Sequence, residues 1–177
     1  YGQTESSPLT TSGRPTDAFE DIITTVGQPA LGCEVGIFDP ATNEVVGCGE
    51  VGEIRSRSAS TMLGYNDDPE ATAAAVDAQG WLHTCDLGTM DERGYVKITG
   101  RVKEMIIRGG ENLFPAEIEN VLLEHVHVAE CAVVGVPDEV LGEAVAAFVR
   151  IEEGGMFDPE ALRAHCRSLI SPQKCPA

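Results

Sequence analysis

The sequence predicts an α+β fold, a β-rich first stretch followed by a small mixed lobe, on three observations. From Gly32 to Arg57, and again from Gly80 to Gly100, short β-prone runs alternate with turn residues. Beyond residue 103 the pattern changes to helices and strands in turn. Between them the segment 101–103 ends one pattern and starts the other, so the expected organisation is 1–100, a join at 101–103, and 104–177.

Taken in chain order, residues 6–30 are rich in Ser, Thr, Gly and Pro and predict loops with short strands. Strands follow at 35–39 and 53–57. Asp39-Pro40-Ala41-Thr42-Asn43 supplies a turn between them, because Asp can hydrogen-bond its own backbone two residues on. The letters Gly47-Cys48-Gly49-Glu50-Val51-Gly52 fit G-x-G-x-x-G, with Asp67 and Asp68 further on. A dinucleotide fingerprint needs a helix opening at the third glycine, whereas Glu53 to Ser58 has no helical stripe. These glycines therefore predict a turn.

Asp68-Pro69-Glu70 opens a short helix through about residue 76, with Asp as cap and Pro at the first helical position. Asp91-Glu92-Arg93-Gly94 turns the chain between strands at Asp86-Leu87 and 95–98. Met105-Ile106-Ile107 and Glu111 to Phe114 flank Gly109-Gly110, which predicts a hairpin, since glycine takes positive φ without steric cost. Pro115 opens a helix to about 124, with Ile118, Val121, Leu122 and His125 at helical spacing. Strands follow at 131–136 and 144–151. Asp158-Pro159-Glu160 caps a last helix with Ala161, Leu162, His165, Cys166 and Leu169 on one face.

Composition narrows the function. With 42% apolar and 23% charged residues the chain can bury a core, and no apolar run is long enough to span a bilayer. A net charge of −17 repels nucleic acid and anionic membrane at long range. Any anionic ligand must be met by local cations, of which Arg101, Lys103 and Arg108 are the evident cluster. Six cysteines without a CxxC pair point to neither zinc nor a thioredoxin-like centre, and free thiols in a cytosol are the default. His125 and His127 with Glu130 and Cys131 form a loose set of metal-ligand types whose spacing matches none of the common sites. The start at Tyr1 without Met, the absence of a signal peptide and the missing final strand lead to the expectation that both ends are cuts through a longer protein.

The stretch Thr99 to Glu119, TGRVKEMIIRGGENLFPAEIE, closely resembles the hinge and following hairpin of the adenylate-forming (AMP-binding) enzymes, which include acyl-CoA synthetases, peptide-synthetase adenylation domains and luciferases. Three more segments resemble the family's motifs in the expected order: Tyr1-Gly2-Gln3-Thr4-Glu5, Gly52-Glu53-Ile54 with Met62-Leu63-Gly64-Tyr65, and Trp81-Leu82-His83-Thr84-Cys85-Asp86-Leu87. Four ordered matches are far more specific than any one alone. The segment from Gly80 to Glu119 is most similar to bacterial fatty-acyl-CoA synthetases. An adenylation domain that loads a carrier protein is the sibling reading, and a non-catalytic nucleotide-binding relic is a third, favoured only by Cys85.

The resemblance implies the β-rich, distorted barrel-like end of a large AMP-binding domain, then an incomplete small C-terminal lobe. It also implies roles. Thr4 would contact the nucleotide α-phosphate and Glu5 would help hold Mg²⁺, the two catalytic positions, while Tyr1 would lie against adenine. Asp86 would accept hydrogen bonds from both ribose hydroxyls and Arg101 would contact the same ribose. Lys103 falls at the hinge, and Gly109-Gly110 would approach the pantetheine arm of CoA. As residues alone, Asp86 is equally a turn or cap aspartate, Arg101 and Lys103 equally surface salt-bridge partners, and Gly109-Gly110 simply a turn.

The implied reaction is two-step: a fatty acid and Mg·ATP give acyl-adenylate, and CoA then takes the acyl group and releases AMP, in the cytoplasm. The family's phosphate loop lies upstream of this segment and its catalytic lysine downstream, so the chain alone is expected not to adenylate. One departure stands out. Cys85 occupies the place of a family glycine, and if that position needs positive φ the side chain costs roughly 1 kcal/mol or more and weakens the nucleotide site.

Overall fold

The computed structural model describes residues 1–176. The chain divides into two compact units, Tyr1–Val102 and the stretch from Lys103 onward.

The first unit opens with a short 3-10 turn at Thr4–Ser6, then β1 (Thr11–Ser12), α1 (Phe19–Thr24), β2 (Gln28–Pro29), β3 (Cys33–Phe38), β4 (Gly52–Ser58), α2 (Pro69–Ala75), β5 (Leu82–Met90) and β6 (Val96–Arg101). Strands β3 to β6 form an antiparallel sheet in sequence order, and β1 pairs with β2. The backbone at Val26 and Gly27 exchanges hydrogen bonds with Val96, so the chain runs on alongside β6. Ile37, Ile54 and Val96 form the apolar centre, with Tyr1, Val26, Val35, Val46 and Met90 packed against it.

The local chemistry explains most of these elements. Asp68 accepts from Ala71 N at 2.9 Å, satisfying one of the N–H groups that a helix start leaves unpaired, and Pro69 follows where no N–H is needed. Asp39 Oδ1 takes the N–H groups of Ala41 and Thr42 at 2.7 and 3.1 Å, which makes the expected turn. Gly52 opens strand β4 and no helix, so the G-x-G-x-x-G letters are a connection between strands. The six-residue helix α1 was not expected, since residues 6–30 promised only loops and short strands. Its Phe19, Ile22 and Ile23 are exposed, so no core-facing stripe marks it.

The second unit begins at the 3-10 turn Val102–Glu104, followed by β7 (Ile106–Arg108), β8 (Glu111–Leu113), α3 (Pro115–Leu123), β9 (Val128–Asp138), β10 (Gly142–Ile151), α4 (Pro159–Leu169) and a closing 3-10 turn at Pro172–Lys174. Its sheet runs β8-β7-β10-β9, all antiparallel. Gly109 and Gly110 take φ of 61° and 86°, the pair of positive values that a two-residue hairpin turn requires. The core is Ile106, Leu113, Ile118, Leu122, Val133, Val145, Cys166 and Cys175. Helix α3 stops at Leu123, so His125 falls beyond it. On α4 the face that carries these five residues is covered in its middle, with Leu162 and Cys166 buried and His165 partly so, while Ala161 and Leu169 are exposed. No helix among the described residues is long and apolar enough to cross a membrane.

Candidate functional site

Of the residues singled out in the first unit, Tyr1, Asp86 and Arg101 converge on the middle of β5. Opposite Ile54 the strand carries extra residues: Glu53 pairs with Leu87 and Arg55 with His83, so Thr84, Cys85 and Asp86 bulge out of the ladder. A bulge of this kind re-aims a side chain. Here it presents Asp86, whose Oδ2 accepts from the Tyr1 hydroxyl at 2.7 Å and whose Oδ1 accepts from Arg101 Nε at 3.0 Å. Asp86 and Arg101 are also direct partners across β5 and β6.

The bulge has its own scaffold. The Thr84 hydroxyl donates to Ile54 O at 2.6 Å and accepts from Asp86 N at 3.1 Å. The buried Glu53 carboxylate accepts from Cys85 N at 3.2 Å and from Arg55 Nε at 2.6 Å, and it lies 3.0 Å from His83 Nδ1. Arg55 is fixed in turn by Asn43 Oδ1 at 2.6 Å and by the Phe38 ring, 4.7 Å from its centroid. Cys85 sits at the turning point with φ of 59°, the left-handed region that costs a residue with a side chain roughly 1–2 kcal/mol. The condition attached to Cys85 above is therefore met.

Tyr1 is half buried, its ring against Ile37, Ile54 and Val96 and its hydroxyl on Asp86. Burial holds its phenol protonated well above the ordinary tyrosine range; the Thr84 hydroxyl opposes this and the Asp86 carboxylate adds to it. At neutral pH Tyr1 is thus a fixed donor to Asp86. Gly2 is needed where it stands, because a Cβ there would collide with the Pro8 carbonyl.

Thr4 and Glu5 lie in the first 3-10 turn, Thr4 exposed and Glu5 partly so. Glu5 Oε1 accepts from the Tyr65 hydroxyl at 2.9 Å, and its backbone carbonyl accepts from Met62 N at 2.8 Å. The Glu5 hydrogen bond raises the Tyr65 phenol pKa. A carboxylate with one oxygen so engaged retains lone pairs on the other, which suits a hard cation that takes one protein oxygen and fills its shell with phosphate and water. Lys103 and the Gly109-Gly110 turn belong to the second unit. There Gly109 N donates to Leu141 O at 2.8 Å and Ile107 N to Glu143 Oε2 at 2.6 Å, which ties the hairpin to β10.

Glu53, Thr84 and Tyr65 carry this arrangement although no individual role was expected of them. The signal was present in their position inside the quoted segments. The loose set around His125 gathers differently: His125 stacks near His127 and His165, with centroids 5.5 and 5.2 Å apart, and no group of three or more metal-ligand types converges among the described residues.

Residues 1–66 match the AMP-binding enzyme family and residues 117–177 the AMP-binding enzyme C-terminal domain. The medium-chain acyl-CoA ligase ACSF2, mitochondrial, of Danio rerio is 43% identical over 99% of this chain and 29% of its own length. ATP-bound MatB from Rhodopseudomonas palustris superposes with a TM-score of 0.92 at 34% identity, over 99% of this chain and 34% of that one. The amide bond synthetase McbA from Marinactinospora thermotolerans gives 0.86 at 41%, over 99% and 35%. The chain spans about a third of the length of the curated relatives it matches. Those relatives are acyl-CoA synthetases and related adenylate-forming enzymes.

Proposed function

The chain belongs to the adenylate-forming, AMP-binding superfamily, and on that premise we propose that it forms the ribose side of the nucleotide site, with the hinge, of an AMP-forming acyl-CoA synthetase. The observation that carries the reading is the Asp86 carboxylate, aimed by a bulge and held by Tyr1 and Arg101 at 2.7 and 3.0 Å. A carboxylate offers only acceptors, and a ribose offers two adjacent hydroxyl donors. Arg101 keeps a local positive charge beside the anionic nucleotide against the −17 background.

In this reading Thr4 donates its exposed hydroxyl to the α-phosphate, and Glu5 provides one oxygen to Mg²⁺ while Tyr65 holds the other. Bound there, Mg²⁺ supplies charge neutralisation of the phosphates. Tyr1 sets the floor of the adenosine pocket. Lys103 lies where the chain passes from one compact unit to the next, the place at which a hinge absorbs a φ/ψ change. Gly109-Gly110 offers a turn without side chains to the CoA arm. The carboxylate activated is a fatty acid, supported by likeness to a medium-chain ligase, and the cytoplasm is the proposed compartment.

The second reading, transfer of the acyl group to an acceptor other than CoA, is favoured by the likeness to an amide bond synthetase. Carrier-protein loading is a further case of it. Both readings share the nucleotide site. Calorimetric titration of AMP into the chain and into Asp86→Asn tests that site: binding lost or weakened about tenfold or more in the variant supports the reading, and equal binding in both refutes it. In a protein that extends this chain to the length of its relatives, release of AMP dependent on CoA separates the two acceptors.

A further inference from the structure

The bulge that presents Asp86 is held by groups that do not themselves face the nucleotide. Thr84 is 3% exposed, and its hydroxyl works in both directions. It donates to Ile54 O across the sheet at 2.6 Å and accepts the Asp86 N–H at 3.1 Å. Glu53, 4% exposed, takes the intervening Cys85 N–H at 3.2 Å. The backbone donors of Cys85 and Asp86 are thus both captured by buried side chains. A bulge forfeits ladder hydrogen bonds, and buried N–H groups demand replacements.

We infer that Thr84, backed by Glu53, is a positioning residue for the nucleotide site: its hydroxyl sets the bulge that turns the Asp86 carboxylate toward the ribose. This rests on the reading of Asp86 as the ribose acceptor. The geometry distinguishes the role from ordinary packing. Asp86 N is bonded by a side chain two residues back, so the orientation of the carboxylate is coupled to one hydroxyl rather than to the sheet as a whole. Cys85, in the left-handed region at φ of 59°, pulls against that geometry. A strained residue persists only where its surroundings over-determine it, and Thr84 and Glu53 are those surroundings.

The consequence is specific to the ribose hydroxyls. A chain whose bulge has relaxed keeps its phosphate contacts and its adenosine floor but no longer distinguishes ribose from deoxyribose. The test compares AMP with 2′-deoxy-AMP and 3′-deoxy-AMP, titrated into the unaltered chain, Asp86→Ala, Thr84→Val and Thr84→Ser. The unaltered chain prefers AMP by roughly tenfold, the effect of one hydrogen bond to a charged group, and Asp86→Ala abolishes that preference. Thr84→Val loses most of it while Thr84→Ser retains it, because serine keeps the hydroxyl. If Thr84→Val does not fold, Thr84→Ala removes the same hydroxyl without placing a methyl among buried polar groups.

Full preference in a folded Thr84→Val or Thr84→Ala protein overturns the inference and leaves the ribose role of Asp86 standing. Absence of any preference in the unaltered chain defeats the ribose role itself, and the inference falls with it.

Discussion

The two units bury different kinds of groups. Among the described residues every buried polar or charged side chain, Ser6, Thr10, Thr11, Glu53, Arg55, Ser56 and Thr84, lies in the first unit. The core of the second is apolar throughout. Buried polar networks add little net stability but fix geometry, because each group tolerates few arrangements. An apolar core stabilises without specifying direction. On the proposed reading, the unit that aims a carboxylate has the polar interior, and the unit that presents a glycine hairpin has the apolar one.

Substitutions that exchange these logics probe the contrast. The largest effect is expected at Glu53→Ala, which leaves Arg55 buried without its counter-charge. A cost of about 3–5 kcal/mol should appear as an early transition in the fluorescence of Trp81, the only tryptophan, which lies beside Arg57 and Phe38. A shift under about 1 kcal/mol would mean that the pair is not what holds the first unit. In the second unit the comparable lesion is a cavity. Ile118, fully buried, should cost about 3 kcal/mol as alanine, read from denaturant unfolding by circular dichroism.

Smaller effects sharpen the comparison. Cys85→Gly relieves a left-handed residue and should raise stability by about 1 kcal/mol at most, with tighter AMP binding. Unchanged affinity would show that the strain is not transmitted to Asp86. Asp158→Ala removes the cap of α4 in the second unit and should cost about 1 kcal/mol, seen as a lower midpoint with no change in nucleotide binding.

The smallest effects are those of partly exposed carboxylates. Asp17 lies below the ordinary aspartate range because it accepts the Arg14 N–H and then the Tyr95 hydroxyl. Asp138 does so through the Leu141 and Val140 N–H groups. A folded-state pKa below the unfolded value contributes stability above the unfolded value, near 3.9, and that contribution is lost as pH falls through the folded one. Carboxyl resonances followed by NMR should show both residues titrating later on acidification than a free aspartate. An ordinary midpoint at either would contradict the hydrogen bonds assigned to it.

What could be read from the amino-acid order follows the range of the interactions. Asp68-Pro69, Asp39, Asp158-Pro159 and Gly109-Gly110 act on neighbours within three residues, so their chemistry was visible as letters and the structure has each in place. Glu53 reaches Cys85 and Thr84 reaches Ile54 through the β4–β5 register and its bulge, over separations of 32 and 30 residues. No periodicity encodes that. Helix α1 was invisible for another reason: its apolar residues face solvent, so it lacks the stripe by which helices are recognised. The pairing of Tyr1 with Asp86 joins two positions named separately from the resemblance, and only the folded chain brings them to 2.7 Å.

The most direct test of the account is a crystal structure of the chain with AMP. The prediction is that both ribose hydroxyls donate to Asp86 Oδ1 and Oδ2 at about 2.5–3.0 Å, with Arg101 alongside and the bulge at Thr84 and Cys85 unchanged. AMP bound with its ribose away from Asp86, or Asp86 still occupied only by Tyr1 and Arg101, would contradict it.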